Sequence, residues 1–356
     1  MSPLWYNLVF LVPLGVITGY LIGGAYTFLT PFIVFVLIPL LDLVVGKSER
    51  NPTEEEERKL TDRRAYRIIT WICAPVQVGL VAWGAWVVGT GSLAPLEFVG
   101  FTISVGVSSG ILGINVSHEL AHRVKSRLEV TLSRVMLSTV LYMHWALEHV
   151  AGHHANVATP NDPATARFGE TFWAFLPRTV GMGFAHAWDM EAKRLERSGA
   201  GPWSPKNRVL RYLAIEVLIL LAVMLLFGPL ATAFFITQGA IAIGLLEIVN
   251  YVEHYGMRRA KTGSGRYEPV RPIHSWNSSN ILTNAFLFNL ERHSDHHYKP
   301  GRRYQLLRHF EESPQLPTGY AGMLLLAAVP PLWFRVMDPK VRRHHRENGY
   351  GVPAPA

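Results

Sequence analysis

The sequence predicts an all-α integral membrane protein. Its mean hydropathy is positive, at +0.17, and charged residues make up only 17% of the chain, whereas about 25% is usual for soluble proteins. Apolar runs of about twenty residues recur, which is the length that an α-helix needs to cross a hydrocarbon core about 30 Å thick. The basic residues between these runs all fall on one side of the predicted membrane. Together these observations predict a multi-pass bundle of helices.

Six apolar runs are predicted to span the membrane. They cover residues 4–24, 26–46, 68–90, 95–117, 209–227 and 231–251. No basic segment precedes the first run and no small-residue cleavage site follows it, so we expect a retained span and not a signal peptide. We expect residues 1–350 to form a single membrane-embedded domain. Residues 351–356 are predicted to be a flexible tail or the start of a linker.

Four further segments are predicted between and after the spans. Residues 51–54 (Asn-Pro-Thr-Glu) favour the start of a helix with acidic residues in its first turn. Residues 128–147 are largely apolar but contain charges, which favours one helix that packs against the bundle or lies at the interface. Residues 171–188 are rich in aromatic side chains and are also expected at the interface. Residues 319–333 are too short and broken to predict a seventh span.

All lysines and arginines lie in three segments, and the order of the predicted spans places these segments on the same face of the membrane. Residues 47–67 carry 7 of them, residues 123–211 carry 12 and residues 258–346 carry 15, which accounts for all 34. Under the positive-inside rule this face is cytoplasmic, and both termini are predicted there too. The net charge of +8 is therefore explained by topology, and no nucleic-acid partner is predicted.

Cys73 is the only cysteine and lies in an apolar run, where a small buried side chain is expected. The chain therefore cannot form an internal disulfide, a four-cysteine iron–sulfur centre or a rubredoxin-type site. Any electrons that the protein needs must come from a partner or from another cofactor.

Nine of the fifteen histidines fall in four short clusters that the topology brings to one face. The clusters are His118 and His122; His149, His153 and His154; His254; and His293, His296 and His297. Residues four apart share a face of an α-helix. Each of the pairs 118/122, 149/153 and 293/297 is therefore expected to bind one ion. Nine imidazoles exceed the three or four ligands of a usual zinc site, which indicates two metal ions. Imidazole alone does not name the metal.

Four carboxylates stand beside these histidines: Glu119, Glu148, Glu253 and Asp295. A carboxylate that holds a ligating imidazole fixes its tautomer and raises its basicity; the alternative for each is an ordinary solvated charge. Residues 118–122 also match the H-E-x-x-H pattern of zinc proteases, in which Glu119 would be the general base. A protease leaves seven clustered histidines unexplained, so the imidazole-holding role is the more economical.

The histidine motifs resemble those of the membrane-bound, histidine-rich non-haem di-iron superfamily of fatty acid desaturases and hydroxylases, and most closely the alkane 1-monooxygenases (alkane hydroxylases). The resemblance rests on residues 118–123, 148–154, 250–256 and 290–297, with support from 158–167, 274–278 and 316–320. Residues 250–256 separate alkane hydroxylases from desaturases. Glu291 stands where the family usually has glutamine.

The resemblance implies that the nine histidines bind two irons and that O2 is used to convert medium- or long-chain n-alkanes to 1-alkanols, in a bacterial inner membrane. It also implies that electrons come from a rubredoxin, separate or fused beyond Ala356, which a flavin-dependent reductase reduces. Two alternatives share the metals, a xylene-type monooxygenase and a fatty-acyl desaturase. An intramembrane zinc protease is the third.

An alkane partitions into the bilayer, so we expect it to reach the metals through an apolar channel between spans. Candidates for the channel wall on the second and third spans are Phe32, Val34, Phe35, Leu37, Leu41, Trp83 and Trp86. For each of them the alternative is a side chain that faces lipid or packs between helices.

Overall fold

The computed structural model describes residues 1–61 and 63–351 and contains no β-strand in that part of the chain. In chain order the helices are α1 (Pro3–Ile22), α2 (Gly24–Val45), α3 (Glu54–Thr61), α4 (Arg64–Thr90), α5 (Pro95–Ala121), α6 (Arg127–Ser138), α7 (145–156), α8 (Phe172–Glu196), α9 (Arg208–His254), α10 (Ile281–Phe286), α11 (His293–Tyr298), α12 (Tyr320–Ala327) and α13 (Pro330–Glu347). The predicted all-α class is confirmed. Of the predicted tail, only Gly351 is described.

The apolar helices match the predicted spans. Five helices in the described part are long and apolar enough to cross a bilayer: α1, α2, α4, α5 and α9. Leucines and valines on their outer faces are exposed, such as Val44 and Leu225, each at 84%. Exposed apolar surface on this scale is expected where a helix meets lipid. The chain is therefore a membrane protein.

α9 supplies both the fifth and the sixth predicted spans. Its 47 residues would make a straight helix about 70 Å long, which is about twice the thickness of a hydrocarbon core. The helix is broken at Gly228, whose φ of 84° and ψ of −177° are readily adopted only by glycine. The Thr232 hydroxyl lies 3.8 Å from the sulfur of Met224, so the chain folds back at this point.

The segment predicted as one helix over residues 128–147 is in fact two helices, so that prediction is wrong. α6 ends at Ser138, and α7 begins at Trp145. Between them Leu141 has a φ of 59°, and the Tyr142 amide donates a hydrogen bond to the Leu137 carbonyl at 3.1 Å. This turn changes the direction of the chain. If α6 continued straight, it would carry the second histidine cluster away from α5.

Two of the three remaining predicted segments, 51–54 and 319–333, agree with the structure. α3 begins after Thr53, whose hydroxyl accepts from the Glu56 amide at 3.3 Å while the Glu56 carboxylate accepts from the Thr53 amide at 2.9 Å; this is a capping box. α12 and α13 are bent by 119° relative to each other, at a break just before two prolines. A straight seventh span is therefore excluded, as the sequence predicts.

Two clusters of buried side chains connect the segment that contains α10 and α11 to the spans. Tyr6 at the start of α1 stacks on Phe288 with ring centroids 5.7 Å apart. Asp42 in α2 accepts hydrogen bonds from the Leu282 and Thr283 amides, at 3.1 and 3.2 Å, and so caps α10. On the other side Tyr251 of α9 packs against α8 and α13. The ends of α5 and α9, together with α7 and α11, therefore meet at one end of the bundle.

Candidate metal centre

The nine clustered histidines converge into two groups. The first histidine group contains His118, His122, His149, His154 and His296, and the second histidine group contains His153, His254, His293 and His297. Within each group one ring nitrogen per residue lies within 4.8 Å of all the others. Four segments that are distant in sequence therefore supply ligand atoms to two adjacent centres, as a dinuclear site requires.

Ring nitrogens in the first histidine group form a continuous series. The Nε2–Nε2 distances are 3.1 Å from His122 to His149, 3.2 Å from His149 to His154, 3.1 Å from His154 to His296 and 2.9 Å from His296 to His118. Ligands at right angles around an ion at the usual metal–nitrogen distance of about 2.1 Å would be about 3 Å apart. A shared proton cannot satisfy so many converging lone pairs, whereas a cation at their centre can.

The same spacing recurs in the second histidine group. His153 and His297 have Nε2 atoms 3.2 Å apart, and so do His254 and His293. Four imidazoles fit a borderline transition metal such as iron or zinc and not magnesium or calcium, which take oxygen ligands. The donor set therefore fits two transition-metal ions.

His149 and His153 belong to different groups, so the predicted pairing of these two residues on one ion is wrong. Residues His149–His153 form a π-helical turn, in which hydrogen bonds join residues five apart and not four. His154, five residues after His149, therefore shares its face. The predicted pairs 118/122 and 293/297 do share a group.

Five of the six clustered histidines outside the spans favour the neutral form. Burial, reinforced by neighbouring imidazoles, lowers the pKa of His149, His154, His293, His296 and His297 well below 6.5. A metal binds the neutral form of imidazole, because the lone pair must be free. These five imidazoles therefore have a lone pair free for a metal at neutral pH.

Of the four carboxylates predicted beside the histidines, Glu253 takes the expected position. Its Oε1 lies 3.2 Å from Nδ1 of His293 and accepts a hydrogen bond from the Tyr320 hydroxyl at 2.7 Å. A carboxylate at Nδ1 directs the Nε2 lone pair toward the centre. Glu253 and Tyr320 thus form a buried support for the second histidine group.

The other three carboxylates contact different partners. Glu119 pairs with the Arg123 guanidinium at 2.9 Å, and Glu148 pairs with Nδ1 of His186 at 2.9 Å. Asp295 accepts hydrogen bonds from the amide and side chain of Arg308, at 2.9 and 3.3 Å. The prediction that these three hold imidazoles of the clusters is therefore wrong. Glu119 faces an arginine and belongs to neither histidine group.

Asp162 is the carboxylate that the sequence analysis missed. Both of its oxygens lie within hydrogen-bond distance of Nδ1 of His153, at 2.9 and 3.0 Å. Burial by itself lowers the pKa of His153, but the charge and hydrogen bond of Asp162 outweigh it and raise that pKa. Asp162 lies nine residues beyond His153 in a proline-rich loop, so it is not adjacent to a histidine in the sequence. The only sequence feature that pointed to it is its place in the stretch 158–167, which supports the family resemblance.

Glu291, for which the resemblance predicts glutamine, lies two residues before His293. It is fully buried and accepts hydrogen bonds from the amides of Tyr320 and Asn280, at 2.7 and 3.1 Å, and from the side chain of Asn284, at 2.9 Å. Burial raises the pKa of Glu291 to about 8. At neutral pH the carboxyl is therefore mainly protonated and carries no charge, as glutamine would.

An apolar cavity borders both histidine groups. His118 and His149 of the first histidine group and His293 of the second line it. The rest of its wall is formed mainly by aliphatic and aromatic side chains of α2, α5, α9, α10 and α12. Asn115 and Asn250 also border the cavity, but their amide nitrogens donate to the Leu287 carbonyl and to Glu247, each at 3.1 Å.

Only two of the seven predicted channel residues border this apolar cavity: Val34 and Phe35. Phe32, Leu37 and Leu41 are exposed on the outer side of α2, and Trp86 is exposed on α4. Trp83 packs edge-on against Tyr20. Residues Ile33–Leu37 form a π-helical turn, so the face of α2 that lines the cavity does not follow an ideal 3.6-residue period.

Comparison with known proteins agrees with this arrangement. The model of the fatty acid desaturase family matches residues 94–327. Alkane 1-monooxygenase 2 of Pseudomonas aeruginosa is 44% identical over 92% of this chain and 87% of its own length. Alkane 1-monooxygenase of Acinetobacter baylyi is 40% identical over 89% of this chain and 78% of its own. The chain belongs to the alkane 1-monooxygenases of the fatty acid desaturase family.

This membership decides between the alternatives. The hydroxylase component of xylene/toluene monooxygenase from Pseudomonas putida is also similar, but at only 28% identity over 96% of this chain. The alkane 1-monooxygenases are thus nearer relatives than the xylene enzyme. As a member of the alkane 1-monooxygenases, the chain is a membrane-bound oxidoreductase.

Proposed function

We propose that this chain hydroxylates the terminal carbon of medium- or long-chain n-alkanes, with two irons held by the nine clustered histidines. The observation that carries the proposal is the contact between an apolar cavity and both histidine groups, in a chain whose nearer relatives are named alkane 1-monooxygenases. Residues 1–350 would act as one domain. The product would be a 1-alkanol.

The apolar cavity gives the alkane its orientation. An alkane has no polar group to hold, so the only available binding energy is burial of its surface, about 0.8 kcal/mol for each methylene. The amide nitrogens of Asn115 and Asn250 each donate one hydrogen bond to a protein acceptor, and most of the remaining wall is apolar. Because His118, His149 and His293 line the cavity, an extended chain held there would bring its end to the metals, which favours the terminal methyl.

Two irons bound in these groups would supply O2 activation and the oxidising power that an inert C–H bond requires. One oxygen atom enters the terminal C–H bond and the other leaves as water, with two electrons and two protons consumed. The aliphatic wall excludes bulk water from the alkane. Asp162 holds His153, and Glu253 with Tyr320 holds His293, so that the imidazoles of the second histidine group keep their orientation while charge at the centre changes.

The electrons would come from a rubredoxin that a flavin-dependent reductase reduces. Cys73 is the only cysteine in the sequence, and it is fully buried, so these residues cannot form the four-cysteine site of a rubredoxin, which would be a separate protein or a domain fused beyond Ala356. We propose that the histidine groups and both termini face the cytoplasm of a bacterial inner membrane. The one-sided distribution of lysine and arginine supports this orientation, and a basic face suits the docking of an acidic carrier.

Metal analysis combined with an activity assay tests the proposal. Purified protein should contain about two irons per chain and should convert n-octane or a longer alkane to the 1-alcohol when rubredoxin, its reductase and NADH are supplied. Zinc in place of iron would refute the di-iron proposal. Oxidation of the methyl group of a methylbenzene in place of an alkane, or insertion of a double bond into an acyl chain, would refute the substrate proposal. Neither result would change the metal assignment.

A further inference from the structure

A second, polar cavity lies away from the histidine groups, at the beginning of α1 and α4. Its volume is about 610 Å³, whereas the apolar cavity has about 90 Å³. Trp5, in the first turn of α1, and Tyr66, in the first turn of α4, border it. Because both helices are membrane spans, this cavity lies at the level where lipid head groups meet the protein. We call it the cationic cavity.

Four basic side chains line the cationic cavity: Arg50, Lys59, Arg63 and Arg292. Glu56 is the only acidic residue among the described lining residues. Arg50 is paired with Glu56 and Lys59 with Glu55, so the positive charge that remains on the lining comes from Arg63 and Arg292. Such a concentration of one sign in a recess attracts an anion.

Arg292 is the innermost of these cations and is 9% exposed. Its guanidinium donates to the carbonyl oxygens of Leu307, Ser48 and Arg50, at 2.7, 2.9 and 3.2 Å. It has no carboxylate partner within ion-pair distance in the described part of the chain. Burying a charge costs free energy unless an opposite charge is near, so an anion in the adjacent cavity would stabilise the fold.

Three buried carboxamides add acceptors to the same wall. Asn284, Asn289 and Gln305 are 2%, 4% and 5% exposed, and each has a side-chain oxygen without a hydrogen-bond partner. Their nitrogens are already used: that of Asn289, for example, donates to the Tyr6 hydroxyl at 2.8 Å and the Tyr304 carbonyl at 2.9 Å. Buried polar atoms are rarely left unpaired, so these oxygens are expected to accept hydrogen bonds from water or from a bound ligand.

We propose that the cationic cavity binds the head group of phosphatidylglycerol. Its phosphodiester supplies the negative charge that Arg292 and the basic rim require, and its glycerol hydroxyls supply donors for the carboxamide oxygens. Phosphatidylcholine offers no hydroxyl donor and would bring a quaternary ammonium group into a cationic recess. The acyl chains would lie along the exposed outer side of α1, where Leu4 is 77% exposed.

Thermal unfolding of the full chain in detergent tests the proposal. Phosphatidylglycerol should raise the midpoint of unfolding by several degrees, because a ligand that binds only the native state stabilises it, and the lipid should co-purify with the protein. Phosphatidylcholine at the same concentration should give little shift. Equal shifts from the two lipids would overturn the proposal. An equal shift from soluble glycerol 1-phosphate would assign the site to a free phosphate ester and would overturn the lipid as its source.

Two variants and one control locate the effect. The double variant Arg50→Ala/Arg63→Ala should lose at least half of the shift, and Gln305→Leu should also reduce it. Arg266→Ala/Arg346→Ala removes two exposed arginines that do not line the cationic cavity and should respond as the unmodified protein does. A full response in both the rim variant and the Gln305 variant would place the lipid elsewhere and refute the site.

Discussion

His149 and His154 point at the same centre although they are five residues apart, with their Nε2 atoms 3.2 Å from each other. The π-helical turn over His149–His153 produces this relationship. Because that turn inserts one extra residue relative to an α-helix, it sends His153 to the second histidine group. One short segment thereby supplies ligand atoms to both centres.

Replacing His296 with alanine should abolish hydroxylation, since its Nε2 lies 2.9 Å from that of His118 and 3.1 Å from that of His154. We expect a loss of more than about 100-fold in turnover and about one iron per chain in place of two. Iron quantification and alkane oxidation on purified protein measure both. His309→Gln changes a buried histidine outside both groups and should keep two irons. Full activity in the His296 variant would contradict its role as a ligand.

Asp162→Asn should weaken metal retention without removing any ligand. The carboxylate is the partner of Nδ1 of His153 at 2.9 Å, and loss of such a support typically costs about 10- to 100-fold in metal affinity. Competition with a chelator during dialysis measures the change. Asp189→Asn, which removes an exposed ion pair with Lys193, is the matched control. Equal retention in the two variants would show that Asp162 does not orient His153.

Val34→Trp should shift activity toward shorter alkanes. Val34 is 7% exposed and borders the apolar cavity, so a larger side chain shortens the space available to an extended chain. Product yields measured with a series from hexane to hexadecane give the profile. Leu37→Trp places the same side chain on the same helix, at a position that is 40% exposed, and should leave the profile unchanged. An identical shift in both variants would indicate a general distortion of α2.

Glu191→Gln should destabilise the protein at neutral pH. Burial alone would raise the pKa of Glu191, but hydrogen bonds from Arg194 and Arg208 outweigh burial and lower the pKa to about 2. Its contribution is about 2 kcal/mol after a discount for the partly exposed arginines. A depressed pKa contributes stability that is complete above the unfolded value of about 4.5 and is lost as pH falls toward 2.

The unfolding midpoints of the Glu191 variant and the unmodified protein should therefore differ at pH 7 and converge as the pH is lowered below 4.5. The two arginines join the end of α8 to the beginning of α9, so the effect belongs to the docking of these helices. Iron content at pH 7 should remain unchanged, because neither histidine group contacts this ion pair. A constant difference in midpoint across this pH range would show that the charge of Glu191 is not the cause.

Much of the fold could be predicted because bilayer thickness fixes the length of each span. The apolar runs at 4–24, 26–46, 68–90 and 95–117 correspond to α1, α2, α4 and α5 with edges shifted by a few residues. The turn at Gly228 was visible as a Gly-Pro pair between two runs. The break after Ser138 was not, because the apolar pattern continues through it and the turn rests on contacts within the tertiary fold.

The sequence by itself determined that nine histidines stand in clusters with metal-ligand spacing, since side-chain type and helical period can be read directly. Only the tertiary structure decided how they divide into groups of five and four. It also decided which carboxylates reach them: Glu253 and Asp162 contact imidazoles, whereas Glu119, Glu148 and Asp295 contact other partners. The physical reason is that adjacency along a helix sends neighbouring side chains about 100° apart, so a support for one histidine comes from another segment of the chain.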